Sequence, residues 1–284
     1  LGGSDRQQIV EGGPARRQRH QCRDAEDRDH RLVAGLVLIL DGLVEKAPYV
    51  LIAADPVVTE LPLKLESETR IGLVGNTLFD RMHEFGHLET LIQQAHPRKE
   101  LVVRNLSWAA DEVDLQPRPA NFADTEQHLT AMKADVVLAA FGYNESFAGN
   151  EGLPAFRERL SKYLEGVKSK AYNGKTAARI VLVSPIANEN VKGVAAADRN
   201  NANIKAYIKV MKEVAAKQRV GFVDAFTATR KAMVSPGTGF TMSGAHLNEK
   251  GYQVFASTVF EQLFGKEAPK LDEKVRAAVV EKNR

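Results

Sequence analysis

The chain has 284 residues, of which 44% are hydrophobic and 26% charged. That balance excludes a disordered polymer and leaves room for one large or two small domains around a buried core. A net charge of +3 gives no argument for a nucleic-acid partner, and no apolar run reaches the ~18 residues of a membrane span. The single cysteine, Cys22, excludes an intrachain disulfide framework, a cysteine-based zinc finger and a thiol redox pair.

The composition changes along the chain. The first lysine is Lys46, and residues 1–31 carry seven arginines and six acidic residues with few hydrophobics and no periodicity. This stretch reads as disordered. A basic arm for nucleic acid, a solvated tail and a wrongly assigned start of translation remain alternatives for it. The run from Leu32 to Leu40 is apolar and follows arginines, as the centre of an export signal does. It lies far from Leu1 and is followed by Asp41, so a short buried strand or helix is the other reading. Residues 1–66 are therefore set apart as an N-terminal extension, ahead of a domain over 67–266 and a charged, helical tail over 267–284.

From Glu68 onward strands and helices alternate. Arg70 to Gly75 reads as a strand. Phe79 to Ala95 reads as a helix, with Phe79, Met82, Phe85, Leu88 and Ile92 at helical spacing. Leu101 to Leu106 is a strand and Asp124 to Lys133 a helix. Asp135 to Phe141 is an apolar strand suited to burial on both faces. A helix over Leu153 to Lys170, a strand over Arg179 to Ser184 and a helix over Asp198 to Gln218 follow. A short strand over Val220 to Val223 and a helix over Asn248 to Phe264 close the series. This order predicts an α/β fold, a three-layer α/β/α sandwich around a mainly parallel five-stranded sheet. In such open sheets, sites form at the carboxyl ends of strands.

Three segments follow strands, Gly75-Asn76-Thr77-Leu78, Asn105 to Asp111 and Gly142-Tyr143-Asn144-Glu145, and a fourth, Ser243 to Asn248, stands just before the final helix. Together they supply a hydroxyl, an amide side chain and an imidazole. In that order they resemble the blocks of the SGNH hydrolases, the GDSL esterase/lipase family, in a divergent branch marked by a G-N-T first block. The resemblance covers roughly Glu68 to Gly265. It implies the flavodoxin-like sandwich already predicted and ester hydrolysis by a covalent acyl-enzyme route without a cofactor. It also implies a small-molecule or carbohydrate ester as substrate, and export to the periplasm or beyond.

Carried onto this sequence, the resemblance makes Thr77 the nucleophile and His246 the general base. The oxyanion donors become the backbone N–H groups of Thr77 and Ser107 and the Asn144 side chain. The departures are specific. Thr77 replaces a serine, Asn76 the aspartate before it, Ser107 and Ala110 two glycines, Glu145 an aspartate, and Ser243 the triad aspartate. A threonine hydroxyl is a nucleophile once a base takes its proton, though its methyl group crowds the approach. The neutral Ser243 supplies no charge to the imidazolium that forms. A catalytically weak or inactive ligand-binding protein on the same fold is the alternative.

Three further features carry two readings each. His83-Glu84-Phe85-Gly86-His87 spells H-E-x-x-H, which on a helix binds zinc; no third ligand follows at Thr90 or Gln93, and an exposed polar helix face is the plainer reading. Asp224 reads as a helix N-cap or as a group near the site, and Asp198 as a cap or surface charge. Trp108 lines an acyl or sugar pocket or simply packs.

Overall fold

The computed structural model describes residues 51–193, 195–234 and 239–284. Strand β1 (Ile52–Ala53) is short and exposed. The strands β2 (Arg70–Gly75), β3 (Val102–Asn105) and β4 (Val136–Ala140) lie side by side, and β5 (Lys170–Ala171) pairs antiparallel with β1. With β6 (Arg179–Val183) and β7 (Gly221–Val223), the main sheet runs in the order β3-β2-β4-β6-β7, every neighbour parallel. This is the predicted five-stranded sheet.

Alternation along β4 shows why the sheet is covered twice. Val136, Leu138 and Ala140 join one apolar cluster; Val137, Ala139 and the following Phe141 join the other. Successive strand side chains point to opposite faces, so an all-apolar strand needs helices on both. On the first face lie α1 (Thr77–Asp80) and α2 (His87–Ala95). On the second lie α3 (Thr125–Ala131), α4 (Leu153–Lys168) and α5 (Ala197–Gln218), whose Leu129, Leu160 and Met211 are fully buried. The short α6 (Ala225–Ala232) and α7 (Glu249–Phe264) complete the first face, with Phe255 and Phe260 at its centre.

The chain leaves β2 toward β3 and leaves β4 toward β6, on opposite sides. The reversal between β2 and β4 is the crevice in which open α/β sheets place their ligands.

One expectation needs correction. The helix predicted over Phe79 to Ala95 is three pieces: α1, a 3-10 turn over Arg81–Glu84, and α2, separated at Gly86, whose φ of 70° is left-handed. The apolar spacing ran through the break because Phe79, Met82, Leu88 and Ile92 all enter the same core. Packing contacts also run across the limits set at 66/67 and 266/267. Leu63 and Leu65 are buried in the first cluster, Leu63 N–H donates to Leu263 O at 2.6 Å, and Ile180 N–H donates to Thr59 Oγ1 at 2.9 Å. The tail forms α8 (Glu273–Lys282), buries Val279 and ties Lys282 to Glu89. Cys22 and Leu32 to Leu40 lie outside the described residues.

His87 opens α2 with its side chain 3% exposed, and its ring lies 4° from parallel to Phe85. Burial, and after it the positive charge of Arg276, hold its pKa below the ordinary imidazole value; Glu249 and Glu273 oppose them. A base depressed in the fold is neutral there while its unfolded form takes a proton below pH ~6.5, so its contribution to stability is lost as pH falls through that window. Urea unfolding of the wild type and of His87→Phe at pH 7.5 and 5.5 is expected to show a smaller acid loss in the variant. The difference is at most about 1.4 kcal/mol per pH unit.

Candidate active site

The first loop is set by a close approach. Gly75 stands opposite Ala140 across β2 and β4, and a Cβ on it would meet Ala140 O at 2.5 Å. Only glycine fits there. Asn76 then accepts the Leu78 N–H at 3.2 Å through Oδ1 and caps α1. A shorter-lived negative charge is not needed for this, so asparagine substitutes for aspartate as a cap. Thr77 occupies the first helical position, where a backbone N–H has no intrahelical acceptor. Its Oγ1 accepts the Ala110 N–H at 3.2 Å.

The loop after β4 is held by a buried carboxylate. Glu145 accepts the Gly142 N–H at 2.8 Å and, from the loop after β3, the Val113 N–H at 3.0 Å. Desolvation raises its pKa, against the opposing pull of these N–H donors. Beside it Asn144 Nδ2 donates to Asp111 O at 3.2 Å. Asp111 is itself buried and grips Arg118 in a two-bonded fork at 2.8 and 2.7 Å.

The histidine sits on a small hairpin. Thr241 bridges Leu247, and Met242 N–H donates to His246 O at 2.9 Å. Glu189, buried after β6, accepts both the N–H and the hydroxyl of Thr241 at 2.8 and 2.7 Å, and its own N–H donates to Gly244 O. Asn248 caps α7 through the Gly251 N–H. His246 is exposed, and its Nδ1 lies 2.8 Å from Ser243 Oγ. The partner of the far nitrogen is thus a neutral hydroxyl.

Thr77, Asn144 and His246 line one cavity of about 50 Å³, together with Tyr143, Ile186 and Tyr252. The Tyr252 hydroxyl donates to Leu78 O at 2.9 Å, so α7 braces α1 from behind. Ser107 does not line this cavity. It faces the adjoining cleft, its hydroxyl donates to Leu73 O at 3.3 Å, and its N–H donates to Asn105 Oδ1 at 3.1 Å. The expected oxyanion donor is therefore already engaged, because Asn105 folds its side chain back over its own turn.

The other candidates resolve simply. Asp224 caps α6 through the Thr227 N–H at 2.9 Å and pairs with Lys212 at 2.7 Å, away from the cavity. Asp198 is an exposed partner of Arg230. His83 and His87 lie on either side of the left-handed Gly86, in different elements, and His87 is buried where an exposed face was expected. Two histidines share a helix face only if the helix is continuous, so the H-E-x-x-H geometry does not form. Among the described residues no group of three or more His, Cys, Asp or Glu is placed to hold a metal, and no helix is long and apolar enough to cross a membrane. Glu189 went unrecognised in the sequence because its partners are some 50 residues away.

Hydroxyl, amide and imidazole thus converge on one cavity of a parallel-sheet fold, Thr77 and Asn144 from strand-end loops and His246 from the loop before α7. A family model described as GDSL-like Lipase/Acylhydrolase matches residues 74–254, and the chain belongs to that family of ester-cleaving enzymes. No curated protein matches the sequence. Among solved structures, a variant of an acetyl xylan esterase from Geobacillus stearothermophilus is 19% identical, with 73% of this chain and 100% of that chain covered and a TM-score of 0.57. A putative GDSL-like lipase from Parabacteroides merdae is 15% identical, over 71% of this chain and 98% of that one, with a TM-score of 0.55. At these identities the likeness is one of fold.

Removing the Glu145 side chain leaves two buried N–H groups without acceptors. Each such loss costs about 1–3 kcal/mol, so Glu145→Ala is expected to destabilise the fold by roughly 2–5 kcal/mol in urea unfolding.

Proposed function

We propose that the protein hydrolyses a short-chain carboxylic ester, with Thr77 as nucleophile and His246 as general base. The observation that carries this is the convergence of Thr77, Asn144 and His246 on one small cavity from three separate loops. Thr77 Oγ1 attacks the ester carbonyl carbon while His246 Nε2 takes its proton. The developing oxyanion is held by the Asn144 amide and the Thr77 N–H at the start of α1. His246 then returns the proton to the departing alcohol, and an acyl-threonine remains. Water, deprotonated by the same imidazole, attacks the acyl carbon; the acyl–Oγ1 bond breaks, the imidazolium returns its proton to Thr77 Oγ1, and the acid is released. The Ala110 N–H occupies a lone pair of Thr77 Oγ1 and leaves the hydroxyl hydrogen free to point at the base. Ser107 has no role in this scheme.

Ser243 orients the ring, but its hydroxyl can donate to Nδ1 or accept from it, so the contact serves either tautomer. For Nε2 to act as base, the proton must sit on Nδ1 and be donated to Ser243 Oγ. A hydroxyl accepts that hydrogen bond but does not offset the imidazolium charge; in a serine-protease triad, neutralising the acidic member by aspartate-to-asparagine replacement lowers turnover by about 10⁴. The same neutral contact is the one observation favouring the alternative, a ligand-binding protein without turnover.

Hydrolysis of 4-nitrophenyl acetate is expected to be slow but measurable. It falls at least ~100-fold in Thr77→Ala and in His246→Ala, and turnover surviving His246→Ala sinks the mechanism. Ser243→Asp is expected to raise kcat by ~10-fold or more by supplying the missing charge, and Thr77→Ser to raise it by relieving the methyl group. An absence of turnover in all of these variants selects the binding protein.

A further inference from the structure

Beside the catalytic cavity, a wider cleft of about 400 Å³ opens between α1, the loop after β3 and α3. Two of its walls are aromatic. Trp108 and Phe122 are 40% and 44% exposed, their ring centroids are 5.0 Å apart, and their planes meet at 81°. They form a corner open to solvent. Large aromatic faces left in water carry a hydrophobic cost and usually mark a contact surface.

The corner is held rigid. The Arg118 guanidinium lies 4.8 Å from the Trp108 ring centroid, and the same guanidinium is forked onto buried Asp111. Trp108 N–H donates to Gly75 O at 3.1 Å, which fixes the loop to the end of β2. His128 also packs against Phe122, with centroids 5.7 Å apart. The pairing with Asp111 offsets the charge of Arg118, so the cleft is no anion trap.

Residues with polar side chains stand around this corner: Asp80 with a carboxylate, His128 with an imidazole and Trp108 with an indole N–H all line the cleft. Asp80 ends the same short helix that Thr77 begins. An occupant must therefore present an apolar face to the rings and hydroxyl-type donors and acceptors to the rim. It must also carry no negative charge against Asp80. A neutral sugar ring has this combination, with C–H groups on its faces and hydroxyls at its edge; a nucleotide or an acidic lipid head does not.

We propose that the cleft walled by Trp108 and Phe122 binds a neutral saccharide, the alcohol portion of the ester whose acyl group enters the cavity at Thr77. The assignment rests on the ester-hydrolase reading for the identity of the acyl side, but binding at the corner does not require turnover.

Trp108 is the sole tryptophan of the chain, so its fluorescence reports on the corner alone. The full chain carrying His246→Ala is titrated with xylobiose, cellobiose and diacetylchitobiose, with 4-nitrophenol and adenosine as aromatic controls. The expected result is a saturable change in emission with at least one disaccharide, weakened about tenfold in Phe122→Leu. No response to any saccharide up to tens of millimolar, or a response to the aromatic controls alone, overturns the proposal. A saccharide response undiminished in Phe122→Leu overturns it too. Aryl-acetate hydrolysis by the wild type reads the catalytic assignment separately. Turnover without a sugar response removes the saccharide cleft and keeps the esterase; a sugar response without turnover does the reverse.

Discussion

The site depends on the side-by-side register of β2 and β4. Gly75 faces Ala140 so closely that no side chain fits between them. That contact ends both strands at the same height. The loop bearing Thr77 and the loop bearing Asn144 therefore start from adjacent points at the place where the chain's connections diverge. Thr77 and Asn144 are built outward from this pair of strand ends, while the sheet beneath them is apolar on both faces.

Buried carboxylates then act as posts for the loops. Glu145 joins the loop after β4 to the loop after β3, Glu189 pins the histidine hairpin to the end of β6, and Asp111 locks Arg118 beneath Trp108. Glu145 accepts the Gly142 and Val113 N–H groups, Asp111 both arms of Arg118, and Glu189 the N–H groups of Phe240 and Thr241 and the Thr241 hydroxyl. A carboxylate in such a place is costly to bury and costly to remove, which makes the loop geometry discrete where water-filled loops would drift. The negative charge that a triad would place on the histidine is absent from His246, while three carboxylates serve the scaffold around it.

The periodic parts of this fold were legible in the sequence. Five apolar strands and their succession along the chain followed from their alternation with helices, Thr77 and Asn144 from the strand-end rule, and His246 from its place before the last helix, together with the family resemblance. What local pattern did not reveal has a common cause. Gly86 breaks a helix whose apolar residues keep the helical spacing across the break, since both pieces cover one core. Ser107 has the right position for an oxyanion donor, but Asn105, two residues earlier, takes its N–H. Leu63 and Leu65 looked like part of an unassigned leader because their partners lie on α7, nearly 200 residues later. Each of these outcomes is decided by a contact that is remote in sequence or by a side chain turned back on its own loop.

The packing of the flanks changes what counts as the unit of this enzyme. The stretch that carries the family likeness, residues 74–254, stops in the middle of α7. Leu63 and Leu65 on one side, and Phe255, Phe260 and Val279 on the other, all lie beyond it and all are buried. Evolutionary likeness thus marks out the chemistry, whereas the cooperative folding unit is wider. A piece trimmed to the recognisable motifs would keep Thr77, Asn144 and His246 and expose the apolar interior of the layer that holds them in place.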